Sequence, residues 1–275
     1  MPDYIGTKAI SSAAIKMALL YSVQTVNKVY VGNTLTYAAT TTTTTTTAAP
    51  SNSLLLYPFD SDANDDSSTG NNLTLTNSSI DTSVKKYGAG SLKFTNFLGN
   101  HKAQGSMPSL GTGNFTVEFW LRLASAASGN KYIVDRGDGS NNGYTNPGWA
   151  FYHNGTGSFI WSIKDTEVDD DGDIEYQLST ALSSTTTASS STGSFIHVAL
   201  VRQGTTYRLY IDGTQEASAT GTATDFGVHN FSLGDAMVNG NGIYQNSYID
   251  DFRLSSTAVY PDGTTFTPPA SAHSS

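Results

Sequence analysis

The chain has no cysteine and only four glutamates, and 13% of its 275 residues are charged. Without cysteine there is no disulfide framework, no zinc–thiolate site and no cysteine nucleophile. A chain of this length can bury enough apolar surface to fold without disulfides, so the compartment stays open. Basic residues are also few: 14 Lys and Arg stand against 23 Asp and Glu, a net charge of −9. No basic stripe is present, which argues against nucleic acid as a partner. No apolar run reaches the length that spans a bilayer, so no membrane insertion is expected. A secretory pattern is missing as well, because Asp3 stands where a basic n-region belongs and Lys16 interrupts the apolar stretch Ala13–Val23. The expectation is a protein made in the cytoplasm without a signal peptide, reaching the outside by lysis or as part of a particle.

What is abundant is Thr, Ser, Asn and Gly, with Tyr, Phe, Val and Ile supplying bulk. That mixture favours strands joined by polar turns. The clearest boundary is the run of eight threonines, Thr40–Thr47, followed by Ala48, Ala49 and Pro50. Such a run buries too little apolar surface for a core of its own, and its β-branched residues keep it extended. Three parts are therefore expected: residues 1–38, a linker at 39–50, and a large domain at 51–275. An edge strand in an oligomer is the other reading of the threonines. Residues 1–38 are too few for a stable core alone. They hold a short helix-like stretch, Ser11–Tyr21, and two strand-like pieces from Val26 to Tyr37 around a Gly32-Asn33 turn. Such a segment must borrow its core from a partner chain, which makes it a docking or oligomerising element.

From Leu54 onward the pattern is all β. Phe115 to Leu123 alternates, with Phe115, Val117, Phe119, Leu121 and Leu123 on one face and Thr116, Glu118, Trp120 and Arg122 on the other. Strands are also expected at Ser53–Phe59, Lys131–Asp135, Trp149–His153, Ser158–Ile163, Phe195–Arg202, Tyr207–Ile211, Thr214–Ala217 and Tyr248–Leu254. Turns fall at Gln203-Gly204 and Asp212-Gly213. Thr166–Asp173 reads as an acidic loop and Ser183–Thr192 as a low-complexity one. Many short strands, Gly/Asn turns and no helical periodicity point to an all-β, two-sheet antiparallel jelly-roll sandwich.

Several pieces, in this order, carry a resemblance: Leu56-Tyr57-Pro58-Phe59-Asp60, Tyr87-Gly88-Ala89-Gly90-Ser91-Leu92, Phe115-Thr116-Val117-Glu118-Phe119-Trp120, His197-Val198-Ala199-Leu200-Val201-Arg202, Tyr207 to Gly213, and Tyr248 to Leu254. Residues 53–269 resemble the concanavalin A-like, or laminin-G-like, jelly-roll family. The resemblance implies the fold but no single ligand, because lectins, adhesion domains and glycanases share it. The tail Ser256–Pro269, with Ile5–Ile10 and Val29–Thr34, resembles bacteriophage virion structural proteins. What that implies is a tail fibre, spike or capsid decoration protein at the virion surface. Its residues 1–38 would contact other virion proteins and assemble a homo-oligomer, a trimer by analogy.

Glycanases of this fold use a Glu-x-Asp-x-x-Glu strand, which sets two carboxylates at catalytic separation. The nearest match starts at Glu167, but Gly172 stands where the acid/base Glu belongs, and Glu118 lacks acidic neighbours at the required spacing. No catalytic residue is assigned. Glu167 to Ile174 mimics the start of an EF-hand loop, but Leu178 occupies the twelfth position, where a bidentate Glu is needed. A structural Ca²⁺ is expected instead from Asp60, Asp62, Asp66 and Asn71 with Asp250 or Asp251, since this fold sets its first and last strands side by side; the competing reading is that Asp66 and Asn71 only cap turns. Sugar recognition needs aromatic faces and amide or carboxylate side chains. Two loops offer them: Gly137–Gly148 with Asn141, Asn142, Tyr144 and Asn146, followed by Trp149, and Gly240–Asn246 with Tyr244. Against this stands the reading of plain turns with Trp149 in the core. Arg136-Gly137-Asp138 matches an integrin motif by chance. The sequence thus supports a non-enzymatic displayed module binding host-surface polysaccharide, with a purely structural cement or tail protein and a glycan hydrolase as alternatives.

Overall fold

The computed structural model describes residues 29–31, 34–37, 52–95, 100–126, 129–137, 147–154, 156–168, 174–237, 241–243 and 245–274; side chains are described from residue 52 onward, those of 165–180 excepted. The chain divides into two units, Met1–Thr47 and Ala48–Ser275. In the first, β1 (Val29–Val31) and β2 (Thr34–Tyr37) pair antiparallel, with Val31 opposite Thr34 and Val29 opposite Tyr37. This is the hairpin expected around Gly32-Asn33. The helix expected at Ser11–Tyr21 and the threonine run lie outside the described residues.

The second unit is a sandwich of two antiparallel sheets. One has eight strands in the order β15 (Thr214–Thr220), β14 (Thr206–Ile211), β13 (Ile196–Gln203), β8 (Phe115–Arg122), β17 (Tyr248–Ser255), β6 (Ser91–Phe94) and β5 (Ser78–Asp81), with β3 (Ser53–Tyr57) also paired to β17. The other has seven: β12 (Ile174–Thr187), β11 (Ser158–Val168), β10 (Gly148–His153), β9 (Lys131–Arg136), β16 (His229–Leu233), β7 (Lys102–Met107) and β4 (Thr74–Thr76). The first and last strands of the sandwich do lie side by side, Leu56 opposite Arg253. Among the described residues no helix is long and apolar enough to cross a membrane.

Alternation explains the core. Phe115, Val117, Phe119 and Leu121 of β8 are fully buried, as are Val198 and Leu200 of β13. They meet Trp149, Phe151, Phe159 and Trp161 from the facing sheet, with Phe119 and Phe151 edge-to-face at 5.9 Å. Each such side chain contributes roughly 1.5–3 kcal/mol by leaving water. Arg202 closes one end of this core: its guanidinium stacks 4.9 Å from the Phe115 ring and its Nε donates to the Gly113 carbonyl. The integrin-like tripeptide is accounted for in the same way, since Arg136 is fully buried and its Nη1 donates to the Pro147 carbonyl.

The structure differs from the sequence reading at β11 and β12. Thr166–Val168 continues β11 and Ser183–Thr187 belongs to β12, followed by a short 3₁₀ turn at Ala188–Ser191. Thr and Ser alternate well on a pleated strand, so a low-complexity stretch serves as an edge strand once a neighbour supplies the ladder. The short strands β4, β5, β6, β7 and β16 were also missed, each too brief to set up a period by itself.

Candidate functional site

The outer face of the seven-stranded sheet is assembled by register. Trp149, Phe151 and their partners Arg136 and Val134 point inward, so Ala150, paired with Asp135 and Ser162, points outward. A register shift beside Phe151 brings Tyr132 opposite Tyr152 on that same outer face. The two half-buried rings lie 5.1 Å apart, tilted by 33°. The backbone N–H of Tyr132 donates to the Asn241 carbonyl at 2.9 Å, so the segment 241–243 runs beside Tyr132 on the side away from Tyr152, with the Asn241 side chain exposed. Burial, then the nearby Asp135 carboxylate, pushes the Tyr132 hydroxyl above its ordinary pKa; burial does the same for Tyr152. Both therefore stay neutral hydroxyls at physiological pH, each a donor and an acceptor beside an aromatic face.

Neither tyrosine was singled out from the sequence. Tyr132 and Tyr152 sit in strands whose alternation is broken by the register shift, which sequence alone does not reveal. Of the residues that were singled out, Asn141, Asn142, Tyr144, Asn146 and Tyr244 lie outside the described residues. Trp149 is a correction: it is fully buried against Trp161, rings 6.3 Å apart and nearly perpendicular, and offers no face to a sugar. Its neighbours in β10 alternate, and its position in register puts it on the core side.

The acidic residues expected to hold Ca²⁺ are engaged differently. Asp60 Oδ1 accepts the Ala89 N–H, and Asp250 Oδ2 accepts the N–H groups of Lys86 and Tyr87 at 2.6 and 3.1 Å. The two carboxylates do reach the same loop from neighbouring strands, as the topology implied, but they grip its backbone. Gly88 is required there, with φ +55° and no room for a Cβ against Asp60. Asp62 accepts the Asn64 N–H in an exposed turn, and Asp66 is exposed. Asn71 donates its N–H to Asp65 Oδ2. Asp65, not Asp66, organises this turn: it also accepts the Leu56 and Ser67 N–H groups and the Thr69 hydroxyl. Its burial works to raise its pKa, yet the hydrogen bonds from Thr69, Leu56 and Ser67 bring it below the ordinary carboxylate value. Among the described residues no three His, Asp or Glu side chains gather as metal ligands. These residues do not fit the expected calcium site.

The outer face of the eight-stranded sheet carries a second polar cluster. Glu118 of β8 is fully buried. Arg253 of β17 stands directly opposite it, with Nε donating to Oε1 at 2.9 Å. His197 Nε2 lies 3.2 Å from Oε2, and the Tyr260 hydroxyl donates to Oε2 at 2.8 Å. His273 completes the set, Nε2 being 3.6 Å from Glu118 Oε1 and Nδ1 2.7 Å from Asp251 Oδ2. Burial opposes the Glu118 charge, but hydrogen bonds from His197 and His273 with the charges of His273 and Arg253 hold it well below the usual range. A carboxylate so bound is a fixed anion, neither a general acid nor a free nucleophile. A bulge in β17 makes the cluster: Asp250 pairs with Trp120 and Arg253 with Glu118, leaving Asp251 at φ +50° and turning Arg253 outward beside Asp251. Burial pushes the Asp250 pKa up to about 6, against the backbone N–H groups of Tyr87 and Lys86 that lower it.

Solved structures with the same architecture include the botulinum neurotoxin serotype D ligand binding domain in complex with N-acetylneuraminic acid (15% identity, TM-score 0.53, covering 76% of this chain and 48% of that one). The binding domain of botulinum neurotoxin DC in complex with SialylT is similar at 13% identity and TM-score 0.55, covering 76% and 50%. The binding domain of Paraclostridial Mosquitocidal Protein 1 is similar at 18% identity and TM-score 0.50, covering 71% and 46%. At these identities the likeness is one of fold, and the chain spans about half the length of the solved chains it matches. No curated protein matches it. Residues 98–262, more than half of the sequence, match the family profile described as the concanavalin A-like lectin/glucanases superfamily, and the chain belongs to that family.

Proposed function

We propose that the large domain is a non-catalytic sugar-binding module whose contact platform is the Tyr132–Tyr152 pair, edged by Asn241 and backed by Asp135. The observation that carries this reading is the pair of partly exposed rings on an outer sheet face, held beside a polar segment. Aromatic faces stack on the C–H faces of sugars, and amide, hydroxyl and carboxylate groups meet the hydroxyls. The sialoglycan complexes of structurally similar binding domains support it by analogy of fold. The net charge of −9 favours neutral glycans over sialylated ones for this chain. Binding to a panel of neutral and sialylated glycans tests it. Tyr132→Ala and Tyr152→Ala are each expected to weaken binding about tenfold, roughly 1.4 kcal/mol, with an unchanged melting temperature. Unaltered binding by both variants would move the site elsewhere.

The finer part of the proposal concerns display. Residues 1–38, followed by the threonine-rich 39–50, anchor the module to a virion and assemble it as a trimer, and multiple copies raise the avidity of a weak site. The resemblance of the tail and of the N-terminal pieces to phage virion proteins supports this reading. The solution mass of the full chain beside a chain beginning at Ser51 checks it. The expected result is a trimer for the first and a monomer for the second. Two monomers would remove self-assembly from the proposal and leave docking to a different protein.

A further inference from the structure

The segment after β17 crosses the outer face of the eight-stranded sheet without joining it. Residues 256–274 contain no helix or strand, and none of them is fully buried. They are nevertheless what buries Glu118, Ala199, Val201 and Tyr210. The attachment is made by side chains. Tyr260 and Phe266 stack face to face at 3.6 Å, Phe266 meets Tyr210 tilted by 59° and His197 edge-on, and Tyr210 donates to the Tyr260 carbonyl at 3.0 Å. The backbone bonds are scattered and made mostly to side chains: the Ser256 N–H to the Asn52 carbonyl, the Val259 N–H to Thr116 Oγ1, the Phe266 N–H to the Gly213 carbonyl and the His273 N–H to Asp251 Oδ1, with the Thr257 and Pro269 carbonyls accepting the Thr116 and Tyr87 hydroxyls. A segment with so little buried backbone opens at lower free energy than the strands beneath it.

At its far end His273 sits with one ring nitrogen toward Asp251 and the other toward Glu118. Only the imidazolium carries N–H on both nitrogens. We propose that residues 256–274 form a releasable strap, latched by the His273 imidazolium between Asp251 and Glu118, which opens the outer face of the eight-stranded sheet while the sandwich stays folded.

The groups around the latch are Glu118 from β8, Asp251 and Arg253 from β17, the His197 ring from β13, the Tyr87 hydroxyl, which lies near Asp251 from the loop before β6, and the neutral Tyr260 hydroxyl of the strap itself. Loss of the His273 proton removes the positive charge between Asp251 and Glu118 and leaves the ring one N–H where it had two. Burial lowers the His273 pKa, but Asp251 and then Glu118 outweigh it and push it up to about 9. The folded value thus exceeds that of a free histidine. The latch is at full strength below about pH 6.5 and is lost as the pH rises through about 9.

Chymotrypsin cleavage of the full-length protein after Phe266 reads the opening, scaled to a free peptide of the same sequence at each pH. Far-UV circular dichroism monitors the sandwich in parallel. His273→Ala and His273→Gln are expected to be cleaved at least tenfold faster than the wild type at pH 7. The wild type should gain the same susceptibility between pH 7 and 9.5, and the His273 variants should lose that pH dependence, all with the β signal intact. Equal cleavage of wild type and both variants at both pH values would overturn the proposal. Cleavage that appears only together with loss of the β signal would overturn it too, since the strap would then open only by global unfolding.

Discussion

Glu118→Ala is expected to destabilise the protein by about 3–5 kcal/mol, the cost of breaking a buried ion pair by removing one partner. The variant leaves the Arg253 guanidinium and the His197 and His273 rings around a site that has lost its carboxylate, under a strap that keeps water out. A domain's whole stability is about 5–15 kcal/mol, so this is a large fraction of it. Glu118→Gln keeps an acceptor for Arg253 and fits the same space, and should cost less than the alanine. Urea unfolding of the two variants against the wild type measures both. A loss below about 1 kcal/mol for Glu118→Ala would mean that the cluster relaxes into water and that the strap does not seal it. Sugar binding at the Tyr132–Tyr152 face should be unchanged in whatever fraction stays folded, because Glu118 lies on the outer face of the other sheet.

Trp149→Ala is expected to cost about 3–5 kcal/mol by leaving a cavity in the centre of the sandwich. Trp149 packs on Trp161, which itself meets Phe115 and Tyr207 edge-on, so the void falls at the contact between the two sheets. The same residue was a candidate for sugar stacking on sequence grounds, and the two roles differ in readout. A core tryptophan lost to alanine lowers the melting temperature and leaves glycan affinity intact per folded molecule. A stacking residue does the reverse. Thermal unfolding beside glycan binding separates them, and a stable Trp149→Ala that no longer binds would contradict the buried placement.

The fold was largely legible because its strongest strands announce themselves. In β8 and β13 the apolar residues recur at every second position, and in β17 Ile249, Phe252 and Leu254 do so apart from the bulge at Asp251; burying one face of each forces the sandwich. The Asp212-Gly213 turn was legible for a backbone reason: both residues take positive φ, 48° and 77°, as a two-residue hairpin requires. Short strands such as β4 and the Thr/Ser-rich part of β12 were not legible, because only a pairing neighbour makes strands of them.

The site was less legible. Sequence placed sugar contacts in Asn-rich loops and at Trp149, and calcium ligands among Asp60, Asp62, Asp66, Asn71, Asp250 and Asp251. The structure instead uses Asp60 and Asp250 to hold one loop by its N–H groups, and gives the turn at 62–72 to Asp65. A carboxylate that will bind a metal and one that will bind amides look alike in sequence. They differ only in whether other oxygens or N–H groups arrive at the same point.

Composition and alternation by themselves determined that this chain folds as strands, and which residues of each strand share a face. They placed Glu118, Trp120 and Arg122 opposite Phe119 and Leu121. What lies over each face was decided only by the tertiary structure. The bulge at Asp251 turned Arg253 toward Glu118, a register shift set Tyr132 beside Tyr152, and a tail with no periodicity of its own crossed the outer sheet to bury a carboxylate that alternation had set on the face away from Phe119. The reason is physical: a period of two is a local property of one strand, whereas burial depends on segments distant in sequence that return to cover it.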